Sequence, residues 1–174
     1  MKYADTKIVF EEVPDEITLA INITNCKIKC IGCHSKHLWK DTGTELTGEE
    51  LKRLIDENKG ITCVAIMGGD FDTEAVKKAL MLIKSLGLKT CWYSGIYREY
   101  ERDVVLNWLP YLDYLKTGPY VDILGGLDRP NTNQHFYEII PVNKDSEYVC
   151  YKLNEITYKF KTDVQTSNKS QSTH

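Results

Sequence analysis

Three cysteines stand within eight positions in the stretch INITNCKIKCIGCHSKHLW (residues 21–39), at Cys26, Cys30 and Cys33. Thiolates are soft ligands suited to iron–sulfur clusters and to zinc. A closed site takes four ligands, and no fourth cysteine follows nearby. A four-iron cubane held by three cysteines leaves one iron open to a substrate, whereas a closed zinc site would recruit His34 or His37 as fourth ligand. The spacing alone admits both. Offsets of four and seven also lie on one face of a helix, but Gly32 and the four lysines Lys27, Lys29, Lys36 and Lys40 argue against a buried stripe.

The elements that must position this loop alternate in type. Ile17–Ile23 alternates apolar and polar residues and reads as a first strand delivering the cysteines at its carboxyl end. Thr47 and Glu50 form a capping-box pattern before a helix that Gly60 stops. Residues 62–67 form a short buried strand ending at Gly68-Gly69-Asp70, and a second helix over 73–87 places Val76, Leu80 and Ile83 on one stripe. Residues 88–94 form a third strand, a helical stretch near 99–109 closes at Pro110, and 112–118 form a fourth strand. YEIIPV (137–142) is a further strand, and residues 147–160 read as a hairpin around Asn154. Such alternation implies a parallel sheet, in which ligands collect beyond the carboxyl ends of the strands. The cysteine loop, Gly68-Gly69-Asp70, Ser94-Gly95 and Thr117-Gly118-Pro119 each follow a strand and would share that rim.

Composition narrows the class. A chain of 174 residues, 42% hydrophobic and 27% charged, is one globular domain with a core. A net charge of −3 gives no electrostatic reason to expect nucleic acid or an anionic membrane. No run reaches membrane-span length and no signal-peptide h-region is evident, which predicts a cytoplasmic protein whose six cysteines are not disulfides. Cys63, Cys91 and Cys150 fall in apolar strands and read as small buried residues. Residues 1–161 read as the domain and the polar segment 162–174 as a disordered tail.

The ordered motifs resemble the radical S-adenosylmethionine superfamily, and within it the activating proteins of anaerobic ribonucleoside-triphosphate reductase. The Cys-x3-Cys-x2-Cys loop, Gly32 before the last cysteine, Trp39, the turn Gly68-Gly69-Asp70, CWYSGI (91–96), LDYLKTGPYV (112–121) and RPNTNQ (129–134) carry the resemblance, over residues 16–140. The departures are Phe71 and Pro130, where that family has proline and glycine, and residues 143–161, which match nothing in it. The resemblance implies an α/β fold: an open, shortened partial (β/α) barrel. It implies a 4Fe–4S cluster on Cys26, Cys30 and Cys33, with S-adenosylmethionine on the fourth iron. Gly32, His34, Gly68, Gly69, Asp70, Tyr93 and Ser94 would line the cosubstrate site, with Asp70 facing the methionyl ammonium. The implied activity is reductive cleavage to a 5′-deoxyadenosyl radical that makes a glycyl radical on the reductase's large subunit. A flavodoxin or ferredoxin would supply the electron. The lysines and Trp39 offer a docking face to the large subunit. Alternative readings are an activase of the pyruvate formate-lyase type, a small-metabolite enzyme such as 7-carboxy-7-deazaguanine synthase, or a zinc-binding interaction module.

Overall fold

The apolar runs become the centre of one open sheet. A computed structural model describes residues 1–101, 107–142 and 150–161. The strands are β1 (Lys2–Val9), β2 (Thr18–Ile23), β3 (Thr44–Glu45), β4 (Cys63–Met67), β5 (Lys89–Tyr93), β6 (Tyr114–Thr117), β7 (His135–Val142) and β8 (Cys150–Glu155). Two α-helices, α1 (Gly48–Glu57) and α2 (Thr73–Ser85), lie between β3 and β5. The sheet has eight strands in the order β3-β1-β2-β4-β5-β6-β7-β8 and does not close. β2, β4, β5 and β6 are parallel neighbours. The pairs added on either side are antiparallel, so the sheet is mixed rather than wholly parallel.

Alternation divides the central strands between two faces. Leu19, Ile21, Ile23, Val64, Ile66, Trp92 and Leu115 pack with the buried stripe of α2 (Val76, Leu80 and Ile83) and with Leu51 and Leu54 of α1. The opposite face has small residues at its centre. Ala20, Ala65, Cys91 and Tyr114 align in one row, and Asn22, Met67, Tyr93 and Lys116 in the next row toward the carboxyl rim. Val13, Phe136 and Ile156 cover this second face.

Both helix starts follow the local code. Thr47 Oγ1 accepts the Glu50 N–H at 3.1 Å, and Asp72 caps α2 by accepting from Ala75 N at 3.3 Å. The Glu50 carboxylate is bound by Arg53 and Tyr3, whose hydrogen bonds hold its pKa down at about 2. Gly87 follows α2 at φ +78°, a left-handed stop.

Three expectations need correction. Residues 17–23 are not the first strand, because β1 precedes them and pairs antiparallel with β2. Its polar, weakly alternating sequence KYADTKIV carries little strand signal. The terminal hairpin does not turn at Asn154, which lies inside β8 opposite Glu138 of β7. Residues 157–160 form a 3-10 turn, tied down where Thr157 Oγ1 accepts from Phe136 N and Ile156 N donates to Phe136 O. Cys150 is exposed at the start of β8, whereas Cys63 and Cys91 are fully buried as expected. Residues 102–106 of the helical stretch expected near 99–109, and the tail from 162, lie outside the described residues. Pro110 sits within a 3-10 turn, Leu109–Tyr111.

The amino-terminal end of the parallel strands is closed by a polar knot. Glu16, 7% exposed, pairs with Lys89 and accepts from Thr62 Oγ1 at 2.6 Å and Tyr114 OH at 3.0 Å. Burial raises the Glu16 pKa, but hydrogen bonds from Lys89, Thr62 and Tyr114 outweigh it and leave the group below its ordinary value. A carboxylate depressed in the folded state contributes stability that is complete above its unfolded pKa and lost as pH falls. Glu16→Gln should cost about 1–2 kcal/mol at neutral pH and flatten the loss of stability between about pH 6 and pH 3. Thermal unfolding across that range tests this; a variant as acid-sensitive as the native chain would disprove it.

Candidate metal centre

The cysteine loop leaves β2 at the carboxyl rim and is closed at its neck by the backbone. Asn25 N donates to Lys40 O and Cys26 N to Leu38 O, both at 3.0 Å. Asn25, Lys29 and Gly32 adopt φ of +63°, +51° and +78°, which fold the chain back between the cysteines. Cys33 N donates to Cys30 O at 3.2 Å, and Ser35 N–H points at Cys33 Sγ at 3.3 Å. Cys26, Cys30 and Cys33 are unpaired and half-buried.

The other three cysteines differ in kind. Burial pushes the Cys63 thiol up to about 12 and the Cys91 thiol well above its usual value. Cys150 stands on the β8 edge strand. Both histidines of the loop are exposed. His34 Nε2 lies 3.1 Å from Tyr120 OH, and His37 Nε2 lies 3.9 Å from Asp5. Among the described residues, no three His, Cys, Asp or Glu side chains converge on the position of a single ion. Three thiols on one rim loop supply three ligands, enough for a four-iron cluster with one iron open and one short of a closed zinc site.

The turn after β4 lies beside this loop. Gly69 has φ +82°, and a Cβ there would sit 2.5 Å from Val76 Cγ2, so only glycine fits. Cys26, Asn25, Gly69, Asp70 and Phe71 line one cavity of about 230 Å3. Asp70 is buried and bound by Ser94 Oγ, Gly95 N and Arg98. Ile28 of the cysteine loop packs over Gly95, where an added Cβ would lie 2.3 Å from Ile28 Cδ1. The loop is thereby seated on the turn after β5.

The remaining candidates lie elsewhere. Gly32 packs against Asp122, 2.6 Å from the position of an added Cβ, and His34 stacks edge-on against Tyr120. Both face the segment after β6 rather than the Asp70 cavity. Tyr93 points into the second face, donates to the Glu12 carbonyl and packs against Phe136. It borders a separate cleft of about 880 Å3 with Leu127 and Phe160. Trp39 is half-buried, so Ile31, 88% exposed between the second and third cysteines, is the more prominent apolar group on the loop.

Two charged residues were not singled out from the sequence. Arg98 is buried against Asp70. Lys116, 7% exposed, donates to Gly118 O at 2.6 Å. Burial lowers the Lys116 pKa to about 8, opposed by the nearby Cys30, Asp70 and Glu99. A lysine inside the strand Tyr114–Thr117 was a readable signal for such a site, because a charge there needs partners.

This fold and loop describe an α/β protein built to carry a cluster. A family model described as a 4Fe–4S single cluster domain matches residues 17–133. The chain belongs to that family, and Cys26, Cys30 and Cys33 fall inside the matched region. No curated protein and no solved structure matches it. Among the described residues, no helix is long and apolar enough to cross a membrane.

Proposed function

We propose that the chain is a radical S-adenosylmethionine activase that installs a glycyl radical on the large subunit of anaerobic ribonucleoside-triphosphate reductase. The observation that carries this reading is the juxtaposition of the three-cysteine loop, through Cys26, with Gly69 and Asp70 of the turn after β4 on one rim. The open, mixed sheet is read as a shortened partial (β/α) barrel, its parallel strands β2, β4, β5 and β6 forming the arc under the site.

With S-adenosylmethionine bound, the cluster supplies one-electron cleavage to methionine and a 5′-deoxyadenosyl radical, the electron coming from a flavodoxin or ferredoxin. The protein's part is placement and the exclusion of water. Cys26, Cys30 and Cys33 would hold three irons and leave the fourth for the cosubstrate. Gly69 brings backbone, free of a side chain, to the wall of the cavity that Cys26 shares. Ile28 over Gly95 fixes the loop to the rim.

Anaerobic reconstitution with iron and sulfide, followed by S-adenosylmethionine and dithionite, tests the reading. The expected result is slow formation of 5′-deoxyadenosine and a changed electron paramagnetic resonance signal of the reduced cluster. A cluster indifferent to S-adenosylmethionine would leave only an electron-transfer or structural role.

A further inference from the structure

The polar groups of the Gly68-Gly69-Asp70 turn already have partners inside the protein. Trp92 Nε1 donates to Gly68 O at 2.8 Å, Asp72 N to Gly69 O at 3.0 Å and Arg98 Nη2 to Asp70 O at 2.9 Å. On the carboxylate, Ser94 Oγ donates to Oδ1, Arg98 Nη2 lies 3.3 Å from Oδ1, and Gly95 N donates to Oδ2 at 3.1 Å. The Asp70 and Arg98 side chains are only 3% and 6% exposed. Arg98 is itself held on all sides. Nε donates to Ser94 Oγ at 3.2 Å, Nη1 reaches Glu101 at 2.6 Å, and the guanidinium lies 5.1 Å from the centre of the Trp92 ring.

These contacts join the turn after β4, the turn after β5 and the 3-10 turn Arg98–Tyr100 into one unit. Removing either member of a buried ion pair strands the other charge, whereas removing both here leaves only Glu101, whose side chain is 40% exposed and can be solvated. We infer that Asp70 and Arg98, with Glu101 on the outer side of the guanidinium, form a buried charged keystone that positions the glycine turn, that Arg98 is a positioning residue of the site, and that Asp70 does not contact the cosubstrate's ammonium. The last clause rests on the proposed S-adenosylmethionine reading.

A double-mutant cycle on the full-length protein decides the matter, using Asp70→Asn, Arg98→Met and the two combined. Two readouts are taken after anaerobic reconstitution: the thermal midpoint without ligand, and the S-adenosylmethionine dissociation constant from perturbation of the reduced cluster's resonance signal. Each single change should lower the midpoint by about 10 °C and weaken binding by about tenfold or more. The combined variant should recover at least half of both losses. Asp70→Asn that weakens binding with an unchanged midpoint, unrescued by Arg98→Met, would assign Asp70 to direct contact and overturn the inference. So would a combined variant no better than the worse single one, including one that fails to fold. If the native protein ignores S-adenosylmethionine, the proposed function fails, yet the midpoint cycle still decides whether the two side chains compensate each other.

Discussion

Alanine at Cys26, Cys30 or Cys33 should each abolish the cluster, taking iron from about four atoms per chain to near zero after anaerobic reconstitution. Each thiolate is one of three anchors, and no fourth cysteine stands in the loop to replace a lost one. Cys63→Ala and Cys91→Ala should keep their iron. Their thiols are fully buried in the sheet and costly to ionise, so their loss is a packing defect of about 1–2 kcal/mol. Cys150→Ser, on the exposed edge strand, should change neither iron content nor stability. Iron and sulfide assays with the visible absorption band read the first property, and thermal unfolding reads the second. Loss of the cluster on changing Cys63, Cys91 or Cys150 would sink the ligand assignment.

Reversing Lys27 and Lys29 to glutamate should slow glycyl radical formation on the proposed reductase partner by about tenfold or more at low salt, with the difference shrinking as salt is added. Lys27, Lys29, Lys36 and Lys40 are all exposed on the cysteine-loop face. Among the described residues, none of them has a carboxylate within ion-pair distance; Lys36 instead sits 6.0 Å from the centre of the Trp39 ring. Unpaired charge of one sign speeds encounter with an acidic surface. Ile31 and Phe71, 88% and 59% exposed, supply apolar area on the same rim. Cleavage of S-adenosylmethionine without the partner should be unaffected, because no lysine of the four contacts the Asp70 cavity. Electron paramagnetic resonance of the glycyl radical, followed over time at two ionic strengths, is the measurement. Equal rates at low salt would clear the lysines of a docking role, and no radical from the intact pair with cosubstrate and reductant would end the activase reading.

Much of this arrangement was legible from local pattern. The stripe Val76, Leu80, Ile83 and the caps Thr47 and Gly87 specify helices whose ends the structure keeps within a few residues. Buried runs such as CVAIM specify strands covered on both sides, and hence a parallel centre with a shared rim. β1 was not legible, because its pairing with β2 is sustained by backbone hydrogen bonds that leave little mark on a polar sequence. Asn154 sits in a strand for a different reason. A turn-forming residue enters a strand when its side chain can donate across to Glu138, as it does at 3.4 Å.

By itself the sequence determined the three-cysteine loop, the glycines that let backbone turn beside it, and the order in which strands bring them to one end. Tertiary structure decided which of the neighbouring residues belong together. Tyr93 and Ser94 are adjacent in sequence, yet the pleat sends Tyr93 into the core against Phe136 and leaves Ser94 on Asp70. Asp70 and Arg98 lie on different turns with no periodicity between them, and only the alignment of β4 with β5 makes them a buried pair. Periodicity records which face a side chain takes within its own element, whereas a charge pair between loops depends on the register of two elements, which neither loop encodes alone.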